Sequence, residues 1–175
     1  GEDSVTMLDG GNLAVSSVET VVGAASGSTD DALRLLNTGT TSLSAIESVV
    51  GSTGVETIVL LGATAISMSA IDTLIGSEGT DVASLIGAAT LRLSAVETLL
   101  GSAGTDVAHL LGGGAVTVSA VETVVGGAGV DEVTTLSPGS LLLCSGDPRV
   151  LPASPTERRL EQLLGASTTP HGGPG

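Results

Sequence analysis

The chain contains no phenylalanine, tyrosine or tryptophan in 175 residues. A globular core of one-domain length ordinarily uses aromatic bulk, because each ring buries a large area. The fold must therefore be one that aliphatic side chains can fill alone. Basic residues are also scarce: five Lys and Arg stand against nineteen Asp and Glu, a net charge of −14. That balance excludes nucleic acid and anionic membrane surfaces as partners. The single cysteine, Cys144, cannot form an internal disulfide, which leaves a free thiol or a bridge to another chain. No apolar run approaches the ~20 residues that a membrane-spanning helix needs. No secretory leader is visible, which leaves a mature chain, an intracellular one, or one exported without an N-terminal leader. Phosphate loops, Cys-x-x-Cys pairs and dinucleotide fingerprints are missing too. The recurring serines have no histidine column beside them, and His109 and His171 have no repeat partners. A serine nucleophile would lack its base, so the sequence is read as a non-enzyme with no small-molecule substrate.

What is present is periodicity. Five segments align directly: SSVETVVG, SAIESVVG, SAIDTLIG, SAVETLLG and SAVETVVG. Their acids are Glu19, Glu47, Asp72, Glu97 and Glu122, spaced by 28, 25, 25 and 25 residues. The longer first interval comes from an insertion within AASGSTDD (24–31). A fixed period of this size marks a solenoid, whose single units cannot bury their apolar faces without neighbours. Twenty-six glycines suit a chain that must turn repeatedly.

Read as one coil, each period begins with a turn acid and continues as a strand. Two positions after the acid stand Val5, Leu33, Ile58, Ala83, Ala108 and Val133, and four after stand mostly Leu. The intervening residues are mainly polar, which is the period-two alternation of a half-buried strand. Leu60, Leu85 and Leu110 are expected to stack as one interior column, with Val59, Ser84 and His109 outside. A second short strand follows, with Leu91 and Leu93 flanking Arg92, after a small-residue corner such as GAAT (87–90). The third stretch, SAVETLLG, has two readings. Its Ser-x-x-Glu resembles a helix capping box, whereas its β-branched residues favour a strand. Thr20, Ser48, Thr73, Thr98 and Thr123 form a hydroxyl column, read as hydrogen bonding along the solenoid rather than as an ice- or glycan-facing row.

These readings predict an all-β, right-handed parallel β-solenoid of about five and a half 25-residue coils, ~26 Å long at ~4.8 Å per coil. The solenoid domain spans 1–143, and a Pro/Gly-rich tail spans 144–175. Within the tail, SPTERRLEQLLG reads as a helix at about 155–164. Ser154 is its N-cap, Pro155 its first residue, Glu157 the capping-box partner and Gly165 its stop. That helix either caps its own solenoid or docks on another subunit.

Two acidic series need a reason. The turn acids are Asp3, Asp31, Glu56, Asp81, Asp106 and Asp131, and the strand acids are those of the five aligned segments. Like charges stacked at ~4.8 Å repel by roughly 1 kcal/mol per pair in water. Separate, solvated columns, hydrogen bonds to turn amides, or bound cations would each account for them. Turns such as GSEGTD (76–81), GSAGTD (101–106) and GGAGVD (126–131) resemble the glycine-aspartate turns of repeats-in-toxin proteins, the hemolysin-type calcium-binding β-rolls. The resemblance covers residues 3–143. It implies calcium as a cofactor at Asp81, Asp106 and Asp131, held between turns by carboxylate and carbonyl oxygens. The pattern departs from that family in having one such turn per 25 residues rather than a nine-residue unit, Ser or Thr at the second glycine, and Glu56 in place of one Asp. The alternative is that each Asp accepts hydrogen bonds from its own turn.

The function that follows is structural. The chain is read as a self-assembling subunit of an extracellular or cell-surface filament or matrix, a homo-oligomer stacked through open solenoid ends. The second reading is a calcium-binding repeat segment of a secreted adhesin or toxin-like protein.

Overall fold

Apolar and polar residues alternate along short stretches, and those stretches are the strands. In β10 (Val82–Leu85) Ala83 and Leu85 are buried while Val82 and Ser84 face outward. The small residues after it turn the chain into β11 (Thr90–Ser94), with Leu91 and Leu93 inward. A tight corner leads to β12 (Thr98–Leu100), which buries Leu99. The next repeat supplies β13 (Val107–Leu110), β14 (Gly114–Ser119) and β15 (Thr123–Val125) in the same order. The computed structural model describes residues 1–24, 31–136, 141–144 and 147–152.

The strands alternate between two nine-stranded parallel sheets, the odd-numbered in one and the even-numbered in the other. Their inward residues merge into one aliphatic core that includes Leu33, Leu43, Ile58, Leu74, Leu91 and Leu99. The protein is thus an all-β parallel solenoid, as the periodicity predicts. Nine rungs at ~4.8 Å give a rod about 38 Å long.

The coil itself differs from the expectation. A repeat contributes three strands, whereas a turn of this two-sided solenoid uses two, so 25 residues make one and a half turns. Ala83 pairs with Leu99, Leu99 with Val118 and Val118 with Thr135, offsets of 16, 19 and 17 residues. The rod has about 8 turns of ~17 residues rather than five and a half of 25. Equivalent residues of consecutive repeats therefore lie on opposite sheets. Leu60 and Leu110 are inward on one sheet and Leu85 is inward on the other. They are interior, but they do not form one column. The hydroxyl series from Thr20 to Thr123 is split between the sheets for the same reason.

The ambiguous SAVETLLG stretch is a strand. Ala95 stands between β11 and β12 with φ 52°, and Ser17, Ala45, Ala70 and Ala120 repeat that left-handed corner. A left-handed residue reverses the chain in one step, which a helical turn would not do. The conformation costs an L-residue roughly 1–2 kcal/mol, so the surroundings must hold it. Gly76 explains part of how. Its N–H donates to Ser94 O at 2.8 Å, and a Cβ there would lie 1.6 Å from Ala95 O. The glycine closing one repeat is the seat for the alanine corner of the next.

The strand pattern continues beyond residue 143. β16 (Val130–Thr135) pairs with β18 (Asp147–Pro152), and β17 (Leu142–Cys144) pairs with β15. Pro148 and Pro152 suit an outermost strand, because proline cannot donate to a further ladder. The predicted helix at 155–164 lies outside the described residues. Among the described residues, no helix is long and apolar enough to cross a membrane.

Candidate functional site

The acids meet at the corners. Asp31, Glu56, Asp81, Asp106 and Asp131 are buried to 1% exposure or less, which for a carboxylate demands compensating donors. Those donors come from two places. Within its own turn, Asp81 Oδ2 accepts Ser77 N–H at 2.6 Å and Ser77 Oγ–H at 3.0 Å. From the preceding coil, Thr64 N–H donates to Asp81 Oδ1 at 3.0 Å. The backbone of Asp81 then donates onward, its N–H reaching Glu97 Oε2 at 2.8 Å. Asp106 repeats the set with Ser102, Ala89 N–H at 2.8 Å and Glu122 Oε2 at 2.8 Å.

Turn acids and strand acids are therefore not in separate columns, nor are the turn acids solvated. Each edge of the rod runs in the order neutral corner, turn acid, strand acid, and then the next neutral corner. Backbone N–H groups separate successive carboxylates, so each negative charge faces a donor rather than another charge. Asp3–Glu19, Asp31–Glu47 and Glu56–Asp72 make the same N–H to carboxylate bond at 2.7–2.9 Å. The strand acid of the Ser-x-x-Glu motif is thus a clasp on the preceding coil and not a helix cap. Sequence reading missed the serines. Ser77 and Ser102, which look like defects in a glycine turn, supply a second donor to the acid and also accept Gly79 and Gly104 N–H at 3.1 and 3.0 Å. The signal was the Ser-x-Gly-x-Asp spacing, four residues from hydroxyl to carboxylate.

Two turns break the rule. Glu56 Oε2 and Asp131 Oδ1 are buried with no hydrogen-bond partner. Both lie opposite a glycine that opens a six-residue strand, Gly39 of β5 (Gly39–Ser44) and Gly114 of β14. Elsewhere the residue at that register, Gly11, Thr64 or Ala89, gives its N–H to the acid. In the first case Gly39 N–H goes to Val55 O at 3.2 Å instead. The other oxygen of Glu56 is held by Ser52 N–H and Oγ–H, and Asp131 Oδ2 accepts Gly127 N–H at 2.9 Å.

For a cation, these carboxylates differ in what they can offer. Both oxygens of Asp81 and Asp106 are engaged by N–H groups, whereas Asp131 keeps one free. Among the described residues, no three His, Cys, Asp or Glu side chains are grouped to hold a metal ion. His109 is half-buried on the outer side of β13, opposite Arg92. A shallow groove of about 160 Å³ beside Ser17, Glu19, Asn37 and Thr41 is smaller than the ~300–1,000 Å³ of ordinary ligand pockets. The chain matches no protein-family model, and no curated protein or solved structure matches it significantly, so the likeness to repeats-in-toxin β-rolls stands on the turns and the parallel two-sheet solenoid that is compatible with them.

Proposed function

We propose that this chain is a structural repeat segment, a stiff solenoid rod that assembles with copies of itself in an extracellular or cell-surface filament or matrix. The observation that carries the reading is the use made of the polar repeat. The side chains that recur through the periods, the turn acid and the strand acid, are spent on joining one coil to the next, and a turn serine holds the acid at Glu56, Asp81 and Asp106. A chain whose recurring chemistry is internal has length and surface as its product. The placement outside the cell rests on the resemblance to secreted repeat proteins. Sedimentation velocity and negative-stain imaging of the full chain test the reading. Concentration-dependent assemblies are expected, and a stable monomer at every accessible concentration would remove it.

A second reading is calcium binding at Asp81, Asp106 and Asp131. It is favoured by the unpartnered, buried Asp131 Oδ1, which has an oxygen to give, together with carbonyl-rich glycine turns. Titration calorimetry and thermal melting with calcium and with chelator test it. Heat on titration and a raised Tm are expected, and their absence leaves the hydrogen-bonded turn as the whole role of these acids.

A further inference from the structure

The sheet faces carry a pattern that coil-to-coil bonding does not use. Every repeat places a large aliphatic just after its turn-acid strand: Leu8, Leu36, Leu61, Ile86, Leu111 and Leu136, each between 44% and 87% exposed. In the last five the N–H still joins the ladder, as in Ile86 N–H to Met68 O at 2.9 Å. Alternation therefore turns the side chain outward at the rim of the sheet face. Burial in the core cannot explain why an exposed site stays Leu or Ile six times.

The remainder of each face is mostly Ser, Thr, Val and small residues, with Ile75 and His109 outward on the first, odd-numbered sheet and Leu100 on the second, even-numbered one. Outward on the second sheet are, among others, Ser67, Ser84, Thr98 and Thr117, and on the first Thr57, Thr73 and Thr123. Among the strand residues up to Thr135, the charged side chains facing outward are Arg34 and Glu132 on one sheet and Arg92 on the other. A chain with nineteen acids has thus cleared its faces and kept its charge in the corners and loops. Edge-to-edge approach of two rods opposes like charges, whereas face-to-face approach desolvates almost none.

We propose that the two sheet faces are interfaces between copies of this chain, which stack face to face into layers. The inference rests on the self-assembly reading above and assigns the contact to the faces rather than to the ends. Three observations select a second copy as the occupant. Because a repeat is one and a half turns, both faces carry the same pattern, so a surface that fits one face fits the other. A chain without aromatic residues offers no ring on which a sugar could stack. A face of nine strands, each presenting about four residues, measures roughly 500–550 Å², or ~1,000–1,100 Å² for the pair, at the lower bound of a specific interface. One such contact is weak. Two per rod, repeated through a stack, make it cumulative.

The test uses the full chain in chelator, by sedimentation velocity and small-angle scattering over a range of concentration and salt. Wild type is expected to associate more strongly as salt screens the acidic corners, and its scattering cross-section is expected to thicken as it does. The pair Ser67→Glu and Thr117→Glu charges the second face, and Thr57→Glu with Thr123→Glu charges the first. Either pair should stop growth at dimers and both together should give monomers, with association weakened at least tenfold. Thr80→Glu with Ala103→Glu adds the same charge at two corners, one on each edge, and should leave association within about twofold. Growth in length at constant cross-section by wild type, or face variants that assemble as wild type does, overturns the face contact and leaves self-assembly through the ends. Corner variants as damaging as the face variants also overturn it. A wild type that stays monomeric overturns both readings.

Discussion

At the scale of the residue, two small side chains decide whether the coils can close. Ala95 and its equivalents hold φ near 52°, where glycine is easier by roughly 1–2 kcal/mol and loses about 0.5–1 kcal/mol of that to its freer unfolded chain. Ala95→Gly is expected to stabilise the protein by about 0.5–1 kcal/mol, read from urea denaturation; a loss of stability would mean that the alanine methyl does more than occupy the corner. The glycine beneath is the opposite case. A Cβ on Gly101 would sit 1.8 Å from Ala120 O, a backbone atom that cannot rotate away. Gly101→Ala should cost about 3 kcal/mol or more by forcing two coils apart. Asp81→Asn tests the buried acid. Its amide nitrogen would face N–H groups of Ser77 or Thr64 that now donate to carboxylate oxygen, leaving at least one donor without an acceptor. A loss of about 2–3 kcal/mol is expected, and thermal melts indistinguishable from wild type would show that the corner repacks around the amide.

At the scale of the element, the strands were legible and their arrangement was not. Ala83, Leu85, Leu91 and Leu93 alternate with outward residues, and period two needs no tertiary knowledge to read. The 25-residue period, by contrast, reports what repeats and not how many strands close a turn. Three strands per repeat in a two-sided solenoid and three strands around a three-sided coil give the same sequence pattern. Only the pairing of Val82 with Thr98, 16 residues away, separates them. The acid site was half legible for a related reason. A buried Asp81 and a partly exposed Glu97 read alike in sequence, and the bond that joins them crosses from one coil to the next. The left-handed corner left no trace at all, because alanine is not the residue that announces positive φ. Inward positions remain the firmest part. Leu85→Asp buries a carboxylate with no donor within the aliphatic core, and loss of cooperative folding by circular dichroism is expected. A folded variant would move Leu85 out of the core.

At the scale of the whole molecule, the mismatch between the 25-residue repeat and the ~17-residue turn makes deletions diagnostic. Stability in a solenoid is close to a sum of unit and neighbour terms, so what matters is whether a deletion preserves the order of strand types. Removing Ser77–Gly101 joins Gly76 to Ser102 and takes out one whole repeat. Every later strand moves to the opposite sheet, yet neutral corner, turn acid and strand acid still succeed one another along each edge. That chain should fold, with a denaturant slope reduced in proportion to the surface lost. Removing residues 82–97 takes out one geometric turn, the 16-residue offset from Val82 to Thr98, and keeps every later strand on its original sheet and in register. It also deletes Glu97, the acceptor for Asp81 N–H, and Ala89, whose N–H donates to Asp106 Oδ1. Two buried turn acids, on opposite edges of the rod, then each lose a hydrogen-bond partner from a neighbouring coil, and the shorter deletion should be the more destabilising by several kcal/mol. Equal stability of the two deletions, measured by urea denaturation, would mean that the aliphatic core alone holds the coils and that the acid clasps are dispensable.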